Sequence, residues 1–126
     1  MTGVQTCAIP IYSCGPSILG SCIATIGDDP TEGEVIAKRG LLANPSDETL
    51  VNNLAFAQLR NGKLAEAEKT FAPLKKLLNQ DAQIALAATY GLLLMCQGHF
   101  DEGAAYYAKA IQRAHSAGDQ IGRAHV

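Results

Sequence analysis

The order of polar, large apolar and small residues repeats along the chain. Gly62-Lys63-Leu64-Ala65-Glu66-Ala67, followed by Phe71, reads glycine, polar, large apolar, any residue, glutamate, small, and then an aromatic nine positions after the glycine. Gly98-His99-Phe100-Asp101-Glu102-Gly103, followed by Tyr107, has the same order, with the glycine moved from position 62 to position 98, an offset of 36. The match continues upstream, with Leu54-Ala55 and Ala57 before Gly62, and Tyr90-Gly91 and Leu93 before Gly98. Self-similarity at a fixed spacing of this size marks stacked supersecondary units. A glycine between two such runs predicts a helix, a tight turn and a second helix.

An earlier unit is written more faintly. Ala43-Asn44-Pro45 reads as its closing turn, because proline stops one helix and Ser46 or Asp47 can cap the next. Its first helix would run from Pro16 to Ile26 and its second from Thr31 to Leu42, around a turn at Gly27-Asp28-Asp29-Pro30 that lacks glycine at the usual place. Gly33 and Gly40 weaken that second helix. The pattern therefore predicts an all-α chain of six helices in three antiparallel helix-turn-helix pairs: 16–26 with 31–43, 47–60 with 64–78, and 81–96 with 100–117. The corresponding units span about 16–45, 46–80 and 81–117. Pro73 falls inside the fourth helix, where proline costs about 3 kcal/mol, so a local distortion is expected there.

These residues resemble the tetratricopeptide repeat, a helix-turn-helix unit with a period of about 34 residues. The longer offset implies a two-residue insertion near Leu78-Asn79-Gln80. The resemblance implies a stacked α-solenoid in which small residues before the turn glycine (Ala55, Gly91) and after it (Ala67, Gly103) let the paired helices approach. Axes closer than about 8 to 10 Å leave no volume for larger side chains. The aromatics Phe71 and Tyr107 would fill the space between adjacent hairpins. In such arrays the first helix of each pair lines a concave surface that binds extended peptides. By position, that groove would be Asn52, Asn53, Phe56, Leu59 and Arg60 in the middle unit, and Ala88, Thr89, Leu92, Met95 and Cys96 in the third. An asparagine such as Asn53 can hold a peptide backbone through two hydrogen bonds. Arg60 is the one basic residue of the set, which speaks against clamping a terminal carboxylate. The implied function is a protein- or peptide-binding scaffold. The alternative is a recruiting segment of a larger enzyme or regulator whose active domain lies outside these residues.

Composition agrees with helices. The chain has 126 residues, 48% apolar and 17% charged, with three Phe, four Tyr and no Trp, and its abundance of Ala and Leu favours close-packed helices over a sheet. A net charge of −2 without a run of one sign offers no stripe for nucleic acid and no polybasic segment for a membrane, so neither is an expected partner. Lys75-Lys76 reads as a solvated helix end. Cys7, Cys14, Cys22 and Cys96 form no CxxC pair and have no nearby His at ligand spacing; they are expected as buried small hydrophobes. No phosphate-cradling loop, HExxH or nucleophile elbow occurs. His99 follows a turn glycine at an exposed polar position, and His115 is expected near the last turn of the final helix, where a cation suits the dipole. Asp101 and Glu102 point about 100° apart on a helix and share no site; they place negative charge at a helix N-terminus, as Asp47-Glu48 does. No catalytic residue, cofactor or metal is expected, and the chain does not read as an enzyme.

The two ends resemble something other than protein design. Residues 1–11, MTGVQTCAIPI, are similar to the translation V-T-G-V-Q-T-C-A-L-P-I of a sequencing-library adapter, with Met1 from a GTG start and a departure at Ile9. Residues 121–126, IGRAHV, are similar to the translation of the complementary adapter strand. Residues 1–12 and 120–126 are thus expected to be adapter-derived, and 13–119 to be an internal, metagenomic piece of a longer protein. Cys7, Arg123 and His125 then carry no functional argument. Leu19-Gly20-Ser21-Cys22 looks like a lipoprotein processing box, but the first basic residue is Lys38, so the charged start of a secretory signal is missing. A bacterial cytoplasmic location is the expectation. A repeat array cut at both ends exposes apolar faces on its first and last helices, so self-association through those ends is expected as well.

Overall fold

The computed structural model describes the backbone of residues 10–79 and 84–124, and the side chains of 17–79 and 84–118. The described residues contain six α-helices and no strand: α1 (Pro10–Ile26), α2 (Pro30–Ala43), α3 (Glu48–Arg60), α4 (Leu64–Phe71), then a 3₁₀ helix (Ala72–Leu77), α5 (Ile84–Cys96) and α6 (Phe100–Ala124). They fall into two compact units, Met1–Phe71 and Ala72–Val126. The all-α expectation is met, and the boundaries differ in three places, each with a physical reason.

α1 reaches back to Pro10 instead of starting at Pro16. Proline suits the first turn of a helix, where its missing N–H would have had no partner; Pro16 is carried inside at the loss of one backbone bond. α4 stops at Phe71 and tightens into the 3₁₀ helix. Pro73 accounts for this, since it disfavours α geometry at Ala72 and donates no hydrogen bond. α6 runs beyond 117 to Ala124, because Gly118 alone weakens a helix by about 1 kcal/mol and no proline follows. His115 therefore lies within the body of α6, not near its last turn. The expected start of the fifth helix, and Gln80 of the expected insertion, lie outside the described residues.

One turn recurs after α1, α3 and α5. Asp28, Gly62 and Gly98 all have positive φ, at 71°, 76° and 91°. Their N–H groups donate to the carbonyls three back, on Thr25 (3.3 Å), Leu59 (3.0 Å) and Met95 (3.0 Å). The following N–H groups, of Asp29, Lys63 and His99, donate to carbonyls five back, on Ala24 (2.8 Å), Gln58 (2.9 Å) and Leu94 (2.9 Å). These two bonds form the Schellman motif that satisfies the last carbonyls of a helix. The carbonyls of Asp29, Lys63 and His99 then open the next helix by accepting from Gly33, Ala67 and Gly103 at 3.0, 2.9 and 2.9 Å. The first unit thus has its turn residue after all. Asp28 takes the glycine's place, an αL position that aspartate tolerates better than most side chains.

The same register aligns the crossings. Ser21, Gly33 and Ala37 of the first unit correspond to Ala55, Ala67 and Phe71 of the second and to Gly91, Gly103 and Tyr107 of the third, and all but Tyr107, which is half-buried, are buried. In the first pair a Cβ on Gly33 would stand 3.0 Å from the Ser21 carbonyl oxygen, and one on Gly40 would stand 2.6 Å from Ser17 Cβ. These contacts run in opposite chain directions, so α1 and α2 are antiparallel. Gly33 and Gly40, expected only to weaken α2, sit seven residues apart on one face, where a Cβ at either would collide with α1. In the third pair a Cβ on Gly103 would lie 2.6 Å from the Gly91 carbonyl oxygen, and one on Gly91 would lie 3.0 Å from Tyr107 Cδ2. α5 and α6 therefore meet backbone to backbone at two glycines, with the Tyr107 ring against Gly91. Within the first unit α3 also packs on α2 and α1. Asp29 and Asp47 cap α2 and α3, accepting from Glu32 N (3.2 Å) and Leu50 N (2.9 Å); of the two expected caps at Ser46 and Asp47, Asp47 serves.

Candidate functional site

The expected groove residues of α3 are placed unequally. Asn53, the residue suited to a peptide backbone, donates its side-chain amide to the Ile18 carbonyl (3.1 Å) and to Ser21 Oγ (3.0 Å) of α1. That amide holds two helices of the chain together. Asn52 is buried, at 5% exposure, and its Oδ1 has no hydrogen-bond partner; Leu59 is buried too. Phe56 is half-buried and Arg60 exposed. The Arg60 guanidinium reaches Asp28 Oδ1 of the neighbouring turn at 3.1 Å.

On α5, Thr89 is buried, Ala88 and Leu92 are half-buried and Cys96 is exposed. Met95 is half-buried, with its Cγ lying where a Cβ on Gly103 would fall. Its side chain is therefore turned toward α6. Of the expected groove positions, Phe56, Ala88 and Leu92 are half-buried and Arg60 and Cys96 exposed, with Arg60 paired to Asp28 across the neighbouring turn. His99 and His115 are exposed, and Asp101-Glu102 occupy the first turn of α6, as their sequence context implies. The cysteines depart from expectation, since Cys22 is half-buried and Cys96 is exposed, both as free thiols. Cys7, and the side chain of Cys14, lie outside the described residues.

A polar cluster that sequence reading did not find joins α2 to the end of α3. Glu34 has a side chain only 6% exposed. Its Oε1 accepts from Asn61 Nδ2 (2.9 Å) and Lys63 Nζ (3.1 Å), while Oε2 takes Lys38 Nζ at 3.0 Å and Lys63 Nζ at 3.1 Å. Thr31 Oγ1 adds a bond to Asn61 Oδ1 at 3.3 Å. Burial pushes the Glu34 carboxyl up, and the bonds from Lys38, Lys63 and Asn61 together outweigh it, so it sits below the usual carboxylate range. The one local signal was Glu34 and Lys38 four apart on a helix; Lys63 and Asn61 come from a different element. In the compact unit Ala72–Val126, Tyr90 and Tyr106 meet edge to face at 4.9 Å, with Lys75 Nζ 5.8 Å from the Tyr90 ring centre and Lys109 Nζ 5.2 Å from that of Tyr106. Lys75 thus lies against an aromatic face as well as near solvent.

Among the described residues no group of three or more His, Cys, Asp or Glu is arranged to hold a metal ion. No helix among them is long and apolar enough to cross a membrane. The class defined by these observations is an all-helical chain in which one helix-turn-helix pattern recurs. No family model, curated protein or solved structure matches it.

Proposed function

We propose that the chain is a tetratricopeptide-like solenoid segment that binds protein or peptide through the concave face formed by the first helices of its three pairs. The observation that carries this reading is the threefold recurrence of one turn, at Asp28, Gly62 and Gly98, each bracketed by small buried residues seven before and five after it. A unit repeated in this register buries its apolar face only against its neighbours, and stacking leaves an extended surface as the natural place for a ligand. Residues 13–119 carry that array, and the adapter-like segments 1–12 and 120–126 contribute nothing to recognition.

Phe56 and Arg60 on α3 are the side chains of the first compact unit that meet a ligand, and Leu92 on α5 is that of the second. The test is selection of a phage-displayed random peptide library on the full chain, followed by amide chemical-shift mapping with a selected peptide. Shifts should centre on α3 and α5, and Phe56→Ala should weaken binding by roughly tenfold, as loss of a central aromatic contact does. Failure to enrich any peptide, or shifts confined to α2, α4 and α6, would refute the reading.

A further inference from the structure

Asp28 departs from the rule that the other two turns follow. Gly62 and Gly98 take a positive φ with no side chain to strain, whereas Asp28 carries a carboxylate at φ 71°, a conformation that costs every residue but glycine. The turn does not need that carboxylate, because the same two backbone bonds close all three turns. The side chain instead reaches the next helix pair, where Asp28 Oδ1 accepts from Arg60 Nη2 at 3.1 Å. The Asp28 side chain is 89% exposed and that of Arg60 37%. The other cation of the α3–α4 turn is used differently. Lys63 donates to both oxygens of the buried Glu34, so its charge is committed to the fold. Arg60 holds a partner that solvent already surrounds and that another carboxylate can replace.

Arg60 stands one helical turn beyond Phe56, whose side chain is half-buried. Residues four apart share a helix face and are separated by about 6 Å along the axis. In an extended chain, alternate side chains share a face and are separated by about 6.6 Å. A strand laid along α3 therefore sets one side chain on Phe56 and the side chain two residues away on Arg60.

We infer that Asp28 stands in for an acidic side chain of the ligand, and that the ligand is an extended peptide with a large apolar residue and, two positions from it, an aspartate or glutamate. The ligand's acid takes the Arg60 guanidinium in place of Asp28, and its apolar residue covers Phe56. This rests on the peptide-binding reading and adds to it the chemistry of the ligand and a competitor built into the chain. Asp28 sets a threshold for binding. A lone anion displaces it with no further gain, whereas a segment that also covers Phe56 gains apolar contact, so the competitor sharpens the preference for the pair of residues over either one.

Phage-displayed random peptides selected in parallel on the full chain and on its Arg60→Gln variant read this directly. The wild-type pool should be enriched in Asp or Glu two residues from a large apolar residue, and the Arg60→Gln pool should keep the apolar residue and lose the acid. A fluorescein-labelled peptide from the wild-type pool is then titrated by fluorescence anisotropy. Asp28→Gly should tighten its binding by about two- to fivefold, the worth of an exposed ion pair, and the gain should vanish in the double variant Asp28→Gly, Arg60→Gln. Replacing the peptide's acid with its amide should weaken binding to wild type and leave binding to Arg60→Gln unchanged. Both substituted positions are exposed, Asp28→Gly restores the residue type of the other two turns, and unchanged circular dichroism verifies the fold. A wild-type pool that lacks the acid, or an Asp28→Gly chain that binds no more tightly, overturns the inference and leaves the peptide-binding reading standing. A library that enriches nothing overturns both.

Discussion

Gly103 and Gly118 lie on the same helix, and alanine should have opposite effects at the two. At Gly103 the new Cβ would stand 2.6 Å from the Gly91 carbonyl oxygen and 3.0 Å from Met95 N, both backbone atoms that no rotamer change can move. α5 and α6 would have to separate along a crossing built on two glycines. Overpacking of this kind costs about 1–3 kcal/mol, and a backbone obstacle belongs at the upper end. Alanine returns about 1 kcal/mol in helix propensity, so Gly103→Ala should destabilise by a net of about 2 kcal/mol. At Gly118 nothing lies within 4 Å of the built Cβ, so the propensity term stands alone and Gly118→Ala should stabilise by about 0.5–1 kcal/mol. Urea denaturation followed by circular dichroism measures both changes, with an unchanged m value showing that only stability moved. If Gly103→Ala proves as stabilising as Gly118→Ala, the helices do not meet backbone to backbone and the small-residue account of the repeat fails.

The Glu34 cluster makes stability depend on pH. Because Glu34 titrates below its ordinary value, its contribution is fully present above the unfolded pKa and is lost as pH falls through the folded one. Glu34→Gln should cost about 1–2 kcal/mol at pH 7, and the gap to wild type should close on acidification below about pH 4.5, the ordinary carboxylate value; thermal melts from pH 7 to pH 3 check this, and a gap that widened in acid would contradict the sign. At Asp28, glycine removes the strain of a side chain at φ 71°, roughly 1 kcal/mol, and gives up an exposed pair with Arg60 worth about 0–1 kcal/mol. Asp28→Gly should therefore be neutral or stabilising by up to about 1 kcal/mol in the same denaturation assay, while Gly62→Val, which forces a β-branched residue into that conformation, should destabilise by about 2 kcal/mol.

Local signals in the sequence were enough for the turns after α3 and α5. Gly62 and Gly98 are where the chain needs a positive φ, and no other residue type accepts that conformation as readily, so the turns were visible and the helices on either side followed. The first pair was harder because Asp28 fills the same role without being glycine. Gly33 and Gly40 looked like weaknesses because helix propensity is a property of one element, whereas a close crossing is a property of two. Their seven-residue spacing was the available sign. The extension of α6 past 117 and the change of α4 to 3₁₀ geometry were legible only in part: Pro73 announced the second, but nothing forbade or required the first.

The proposed groove was less legible, because position in a resembled repeat says where a residue would sit and not what already holds it. Asn53 has the chemistry to bind a peptide and bonds α1 instead; Gln58, in the same helix, accepts from Thr70 Oγ1 at 2.7 Å and ties α3 to α4. Polar side chains at these positions hold helix to helix, as buried polar groups generally must find partners. The groove reading is thereby narrowed to an aromatic and a cation on α3, Phe56 and Arg60, and to Leu92 on α5. On α3 that pairing favours a ligand segment with an apolar residue close to an acidic one. An acid reaching Arg60 would displace Asp28, whose side chain is 89% exposed, and an exposed pair of this kind is worth no more than about 1 kcal/mol. The exchange of one carboxylate for another thus presents little barrier, and Arg60 remains open to a ligand in a way that Asn53 is not.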